Sequence, residues 1–181
     1  MNKKIRWITE TAVMLALLIT LQWMGSLIAE PMTKQLVTGS LVNVVLAITV
    51  LFAGLNSGLT VAVISPVLAF FIGIAKPWLV PVSMVGNVVL VILLYIIAGK
   101  DSRKIVRQVL AWLTAAVAKY AAMYGVGVLL LGKLLAGPLG LAKTDIAPVI
   151  KSCTWVQLVT ALIGGAVALS ITPALRKALR K

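Results

Sequence analysis

The chain has no histidine, one cysteine (Cys153) and four acidic residues among its 181 positions. Each scarcity removes a class of function. Without histidine and with a single thiol, neither a Cys/His metal cluster nor an internal disulfide can be assembled. Paired carboxylates are missing too, as is a Ser or Cys beside a base, so the usual acid/base and nucleophilic constellations have nothing to be built from and no enzyme is expected. The acids are Glu10, Glu30, Asp101 and Asp145, and none falls in the middle of an apolar run. Ion-coupled carriers place such groups along their membrane pathway, so a proton relay is poorly supported. A G-x-x-x-x-G-K-[ST] phosphate loop is also missing, and any uphill transport would need energy from another chain.

Apolar residues fill the space. With 61% hydrophobic and 12% charged residues and a mean hydropathy of +1.10, the chain lies far from globular composition, in which roughly a quarter of residues are charged. It reads as an all-α integral membrane protein, a single membrane domain over residues 1–181. That length allows about six spans at about 20 apolar residues each, with no room for a soluble catalytic domain. The apolar runs predict transmembrane helices at about 7–29, 35–53, 58–75, 79–98, 108–131 and 154–175, forming one bundle. Turn formers and charge mark the breaks: Glu30-Pro31, Asn56-Ser57-Gly58, Lys76-Pro77, the run from Lys100 to Arg107, and Gly137-Pro138. The first run is not read as a secretory signal, because Leu27 would stand where a cut after Ala29 wants a small residue.

The net charge of +13 could suggest nucleic acid, but the basic residues cluster at segment ends, which indicates a lipid bilayer and no nucleic-acid partner. With the amino terminus cytoplasmic, Lys3, Lys4, Arg6, Lys100, Arg103, Lys104, Arg107, Arg176, Lys177, Arg180 and Lys181 lie inside. Lys34, Lys76, Lys133, Lys143 and Lys151 lie outside. By the positive-inside rule both termini are then cytoplasmic, in a multi-pass protein of a bacterial-type plasma membrane. The connection over residues 132–153 faces outward, and its length suits a lid or binding segment.

One lysine escapes this partition. Lys119, in "AAVAKYAAMYG", stands eleven residues into the fifth predicted helix, and Asn43 and Asn87 each stand eight residues into theirs from the outer side. Helical spacing adds Gly39 and Ser40 to the face of Asn43, Ser83 to that of Asn87, and Tyr124 to that of Tyr120. Trp155 and Gln157 begin the sixth helix at the same outer level. These residues could line an outward-opening polar cavity that offers the ammonium an anion or a carbonyl. A central charge costs at least about 2.5 kcal/mol on insertion scales and usually marks a cavity or pathway; snorkelling across most of a leaflet is the competing explanation. Asn43 and Ser83 taken singly are better explained as helix-to-helix glue. Trp7 and Trp112 are expected to be interfacial anchors, while Trp78 and Trp155 could be anchors or pocket lids. Cys153 is expected to be incidental.

In the first helix, "TETAVMLALLIT" stacks Ala12 and Ala16 on one face, the small-xxx-small ridge that lets helices approach closely in lipid. Gly164 and Ala168 form another such pair, expected to be internal packing. Together, a strongly basic six-helix chain of this size with "AVMLA" in helix 1 and an extended fifth loop resembles the substrate-binding S component of an energy-coupling factor (ECF) vitamin transporter. The resemblance spans essentially the whole chain and has little motif content. It implies that Ala12 and Ala16 contact the coupling helices of a transmembrane T subunit. Two separate ATPase subunits would use ATP and magnesium, and this chain would hold no cofactor. It also implies a vitamin pocket that includes Asn87, Tyr120, Tyr124, Trp155 and Gln157. Residues 38–74 are most similar to S components assigned to cobalamin. Pantothenate, with its one carboxylate, would also suit Lys119 and its amide neighbours. A self-sufficient channel or facilitator and a ligand-free scaffold are the rival classes.

Overall fold

The computed structural model of the chain describes residues 2–99, 105–138, 140, 142, 144, 147, 150, 151, 153 and 155–179. The α-helices delimited among the described residues are α1 Lys3–Ser26, α2 Pro31–Phe52, α3 Leu55–Phe71, α4 Leu79–Ala98, α5 Ile105–Tyr124 and α6 Trp155–Leu179. A π-helical segment, Gly125–Leu135, continues α5. No strand occurs among the described residues. Five of the helices are long and apolar enough to cross a membrane. The exception, α3, has 17 residues and is about 26 Å long, a few ångström short of the roughly 30 Å hydrocarbon layer.

Helix ends differ from those expected wherever capping chemistry starts a helix before its apolar run. The Asn2 side chain accepts from the Lys4 amide at 3.2 Å, so α1 begins in the charged segment rather than at Trp7. The expected break at Glu30-Pro31 holds, and Glu30 in it also caps α2. Its carboxylate accepts from the backbone of Met32 at 2.9 Å and from that of Thr33, with Pro31 at the first helical position. Hydrogen bonds from the Thr33 side chain, then from the backbone of Thr33 and Met32, hold this carboxyl below its ordinary range.

The expected break at Asn56-Ser57-Gly58 lies inside α3. The turn is made by Gly54 alone, whose φ of 91° would strain any side chain. Ser57 and Gly58 are packing residues instead. The Ser57 and Thr11 hydroxyls are hydrogen-bonded at 2.9 Å, and a Cβ on Gly58 would lie 2.8 Å from Val91. Likewise the fifth helical stretch runs from residue 105 to 135, past the expected 108–131, so the supposed loop 132–153 starts helical. The rest of that loop is described only at scattered positions. Lys100, Asp101, Arg103, Lys104, Lys143, Asp145, Arg180 and Lys181 lie outside the described residues.

The helices contact one another in the cyclic order α1, α2, α6, α5, α4, α3 and back to α1, and α2 also touches α3 and α4 across the ring. That central position explains why the second half of α2 is buried on every side. Val45, Leu46, Val50 and Leu51 are all buried. By contrast α1 turns Ile8, Val13, Leu17 and Trp23 outward, the surface expected to meet lipid. The α2–α6 seam is close because it is built from small residues. A Cβ on Gly164 would sit 2.6 Å from the Ser40 carbonyl oxygen, and one on Gly39 would sit 3.0 Å from Thr160. Gly164 and Ala168 are thus internal packing, as expected. Trp112 is not an interfacial anchor: its ring lies on Gly165 and its Nε1 donates to the Ala161 carbonyl at 3.1 Å.

Candidate functional site

A cavity of about 580 Å³ opens at the end of the bundle where α1 and α3 finish and α2, α4 and α6 begin. That volume falls within the usual range of small-molecule sites. Lys119 is at its floor. The side chain is only 3% exposed, and its Nζ donates to Asn43 Oδ1 at 2.7 Å and to Asn87 Oδ1 at 2.8 Å. Gly86, beside Asn87, lets α5 lie close to α4 here, since a Cβ at that position would collide with Met123 one turn along from Lys119. An ammonium has three N–H donors, and the two amides engage two of them.

Asn43 is turned toward Lys119 by a chain of hydrogen bonds. Thr160 gives its one hydroxyl hydrogen to the Gln157 carbonyl at 3.1 Å, so toward Asn43 it can only accept, and it does so from Nδ2 at 3.4 Å. The amide oxygen is then left facing the ammonium. Asn87 shows the same polarity. Its Nδ2 donates to the Ala62 carbonyl of α3 at 3.5 Å and its oxygen faces Lys119.

The opposite wall comes from α1, α2 and α3. Gln22 Nε2 donates to the carbonyl and the hydroxyl of Ser65 at 3.2 and 3.3 Å. Gln22 Oε1 and Thr38 Oγ1 are buried with no hydrogen-bond partner among the described residues. At the mouth stand Glu30, Lys34, Gln35, Lys76 and Lys151. Below the floor, Asn43 faces a narrow crevice of about 10 Å³ that runs past Leu51, Leu90 and Leu94 to Ala98.

Of the residues singled out from sequence, the cavity brings together Asn87, Lys119, Gln157, Ser83 and Gly39, and Asn43 joins through Lys119. It does not bring in Tyr120, Tyr124 or Trp155. The two tyrosine rings pack on each other at 6.1 Å, Tyr124 is exposed, and Trp155 is 55% exposed. Gln22, Thr38, Ser65 and Lys34 line the cavity and were not foreseen as site residues. A lone amide inside the first apolar run was the available signal for Gln22. Ala12 and Ala16 lie on the exposed side of α1, away from the buried Thr11 and Leu18. Cys153 packs against Val82 and Met123, and burial pushes its thiol up to about 12, so the reactive thiolate is disfavoured. No group of three metal-ligating side chains occurs among the described residues.

Residues 6–176 match a family described as the ECF transporter, substrate-specific component. No curated protein and no solved structure matches the chain.

Proposed function

The chain belongs to the substrate-specific components of ECF transporters, and on that premise we propose that the 580 Å³ cavity is its solute site and Lys119 the group that binds the solute's anionic or carbonyl end. The observation that carries this reading is the clamp at the floor. A lysine held by two neutral amide oxygens, 3% exposed and lining a cavity, has a donor left for a bound acceptor. A buried cation without a bonded carboxylate gains most from a counter-charge. Asn87 and Gln157 would add polar contacts, with Asn43 acting through Lys119. Tyr120, Tyr124 and Trp155 would contribute only after a rearrangement.

The chain is a substrate-binding membrane subunit and not itself an enzyme, and it works with T and ATPase subunits, as its family implies. We place both termini in the cytoplasm of a bacterial-type plasma membrane, so that the cavity opens outward. Among described residues, Lys3, Lys4, Arg6, Arg107, Arg176 and Lys177 lie at the opposite end from the mouth, which supports this by the positive-inside rule. The exposed ridge of Ala12 and Ala16 would meet the T subunit, with two ATPases supplying energy from ATP and magnesium.

For the solute, resemblance over residues 38–74 favours cobalamin. Volume favours a compact anionic vitamin such as pantothenate, since about 580 Å³ encloses such a molecule whole and a corrinoid only in part. The narrow apolar crevice beneath Asn43 offers a solute no continuous path, which weighs against a self-sufficient facilitator. Mass spectrometry of the small molecule that co-purifies with the detergent-solubilised chain tests the reading. A water-soluble vitamin retained by the wild type and lost from Lys119→Ala is the expected result. Equal retention by both would overturn the assignment of Lys119.

A further inference from the structure

Pro66 lies inside α3, where helix geometry pairs the N–H of residue 66 with the carbonyl of residue 62. Proline has no N–H, so that bond cannot form, and its ring crowds the carbonyl one turn back. In α3 the Ala62 carbonyl is taken instead by a side chain from the next helix, Asn87 Nδ2, at 3.5 Å. We propose that Pro66 is a positioning residue for the solute clamp: by removing one backbone donor it supplies an obligate acceptor that fixes which way the Asn87 amide faces.

The chemistry leaves Asn87 one choice. A carbonyl accepts and never donates, so the amide must turn its NH2 toward Ala62, and its oxygen then faces Lys119 at 2.8 Å. Flipped by 180°, the amide would set oxygen against oxygen on one side and NH2 against the ammonium on the other. Thr160 imposes the same constraint on Asn43 by a different route, having committed its hydrogen to Gln157. The two acceptors stand on α3 and α6, on different neighbours of the central helix, and both asparagines are at least 96% buried. Both oxygens are thereby aimed at one ammonium before any solute arrives. With alanine at position 66, the backbone N–H would compete for the Ala62 carbonyl and loosen its hold on the Asn87 amide.

This lock is a property of the chain alone, and only its consequence for transport rests on the solute-site reading. The test is a cycle of Pro66→Ala, Asn87→Leu and the double variant, in the full chain in detergent. The rate of Lys119 acetylation by acetic anhydride is followed by peptide mass spectrometry, with thermal unfolding in parallel. Each single variant is expected to acetylate Lys119 several-fold faster than the wild type, because the amine is less tightly held, and the double variant no faster than Asn87→Leu. Pro66→Ala should also raise Tm more in the Asn87→Leu background than in the wild type, where restoring the helical bond is offset by releasing Asn87. An unchanged acetylation rate in Pro66→Ala, or the same fold-change with and without Asn87, would overturn the lock and leave Pro66 a bend in α3. If the acetylation cycle holds while both single variants transport at wild-type rates with the complete transporter, the lock stands and the assignment of the solute site fails.

Discussion

Above and below Lys119 the same six helices behave as two different solids. Above it, α1, α3 and α4 stand apart around about 580 Å³ lined with Gln22, Thr38, Ser65 and Asn87. Below it, the crevice shrinks to about 10 Å³ among leucines and alanines. The sequence reason is visible in α2. Its first half carries Lys34, Gln35, Thr38, Gly39 and Ser40, while Val44 to Leu51 are apolar apart from Thr49, which turns its hydroxyl back to the Val45 carbonyl at 2.6 Å. In lipid, apolar attraction between helices is weak and close packing takes its place. Branched aliphatic chains interdigitate and close the lower half, whereas the polar side chains of the upper half surround a space open to a guest.

The largest expected effect separates the two halves by what they do. Replacing Ala12 and Ala16 by tryptophan should abolish uptake by the assembled transporter while solute affinity stays within twofold, since the ridge faces away from the cavity. A parallel loss of affinity in a binding assay would place the ridge in the bundle's own packing. Next, Lys119→Met should weaken binding of an anionic solute about 100-fold or more, because the solute's charge would enter the cavity with no cation to meet it. Its Tm should change little, since relief of a buried charge is offset by the two amide oxygens left without a donor. A sharp fall in Tm would show that the lower half needs the lysine as structure. Third, Gly164→Val should destabilise the chain by about 1–3 kcal/mol through overpacking against Ser40 and Asn43, read as a lower midpoint in thermal or denaturant unfolding.

The smallest effect belongs to the mouth. The folded-state carboxyl of Glu30 is depressed, so the stability it contributes is present above its unfolded pKa and disappears as pH falls through the folded one. Between neutral pH and the acid side of the carboxylate range, the wild type should lose slightly more Tm than Glu30→Gln, whose amide oxygen still caps α2 without titrating. Identical pH profiles would remove Glu30 as the source.

The all-helical class and the common level of Lys119, Asn43 and Asn87 could be read from residue order, because level is simply position along an apolar run. Azimuth could not. In a soluble helix a polar face marks the outside, but a helix between lipid and an apolar interior is oily on both sides, so nothing in α5 distinguishes the face of Lys119 from that of Tyr120 one residue on. Tyr120, Tyr124 and Trp155 have the right depth and the wrong heading. The error at Asn56-Ser57-Gly58 has a related cause: small polar residues that would bend a soluble chain serve close helix contact in a membrane, and only Gly54, with its positive φ, makes the turn. The partners that orient Asn43 and Asn87 lie on α6 and α3, and pairing across helices is not written in the local order of either.

The absent side chain at residue 164 has a mechanical corollary. With the backbone of α6 seated directly on the stem of Asn43 and the Ser40 carbonyl, there is no compressible layer between α2 and α6. The pair therefore moves as a single beam, and any widening of the mouth has to come from α1, α3 and α4 swinging against it.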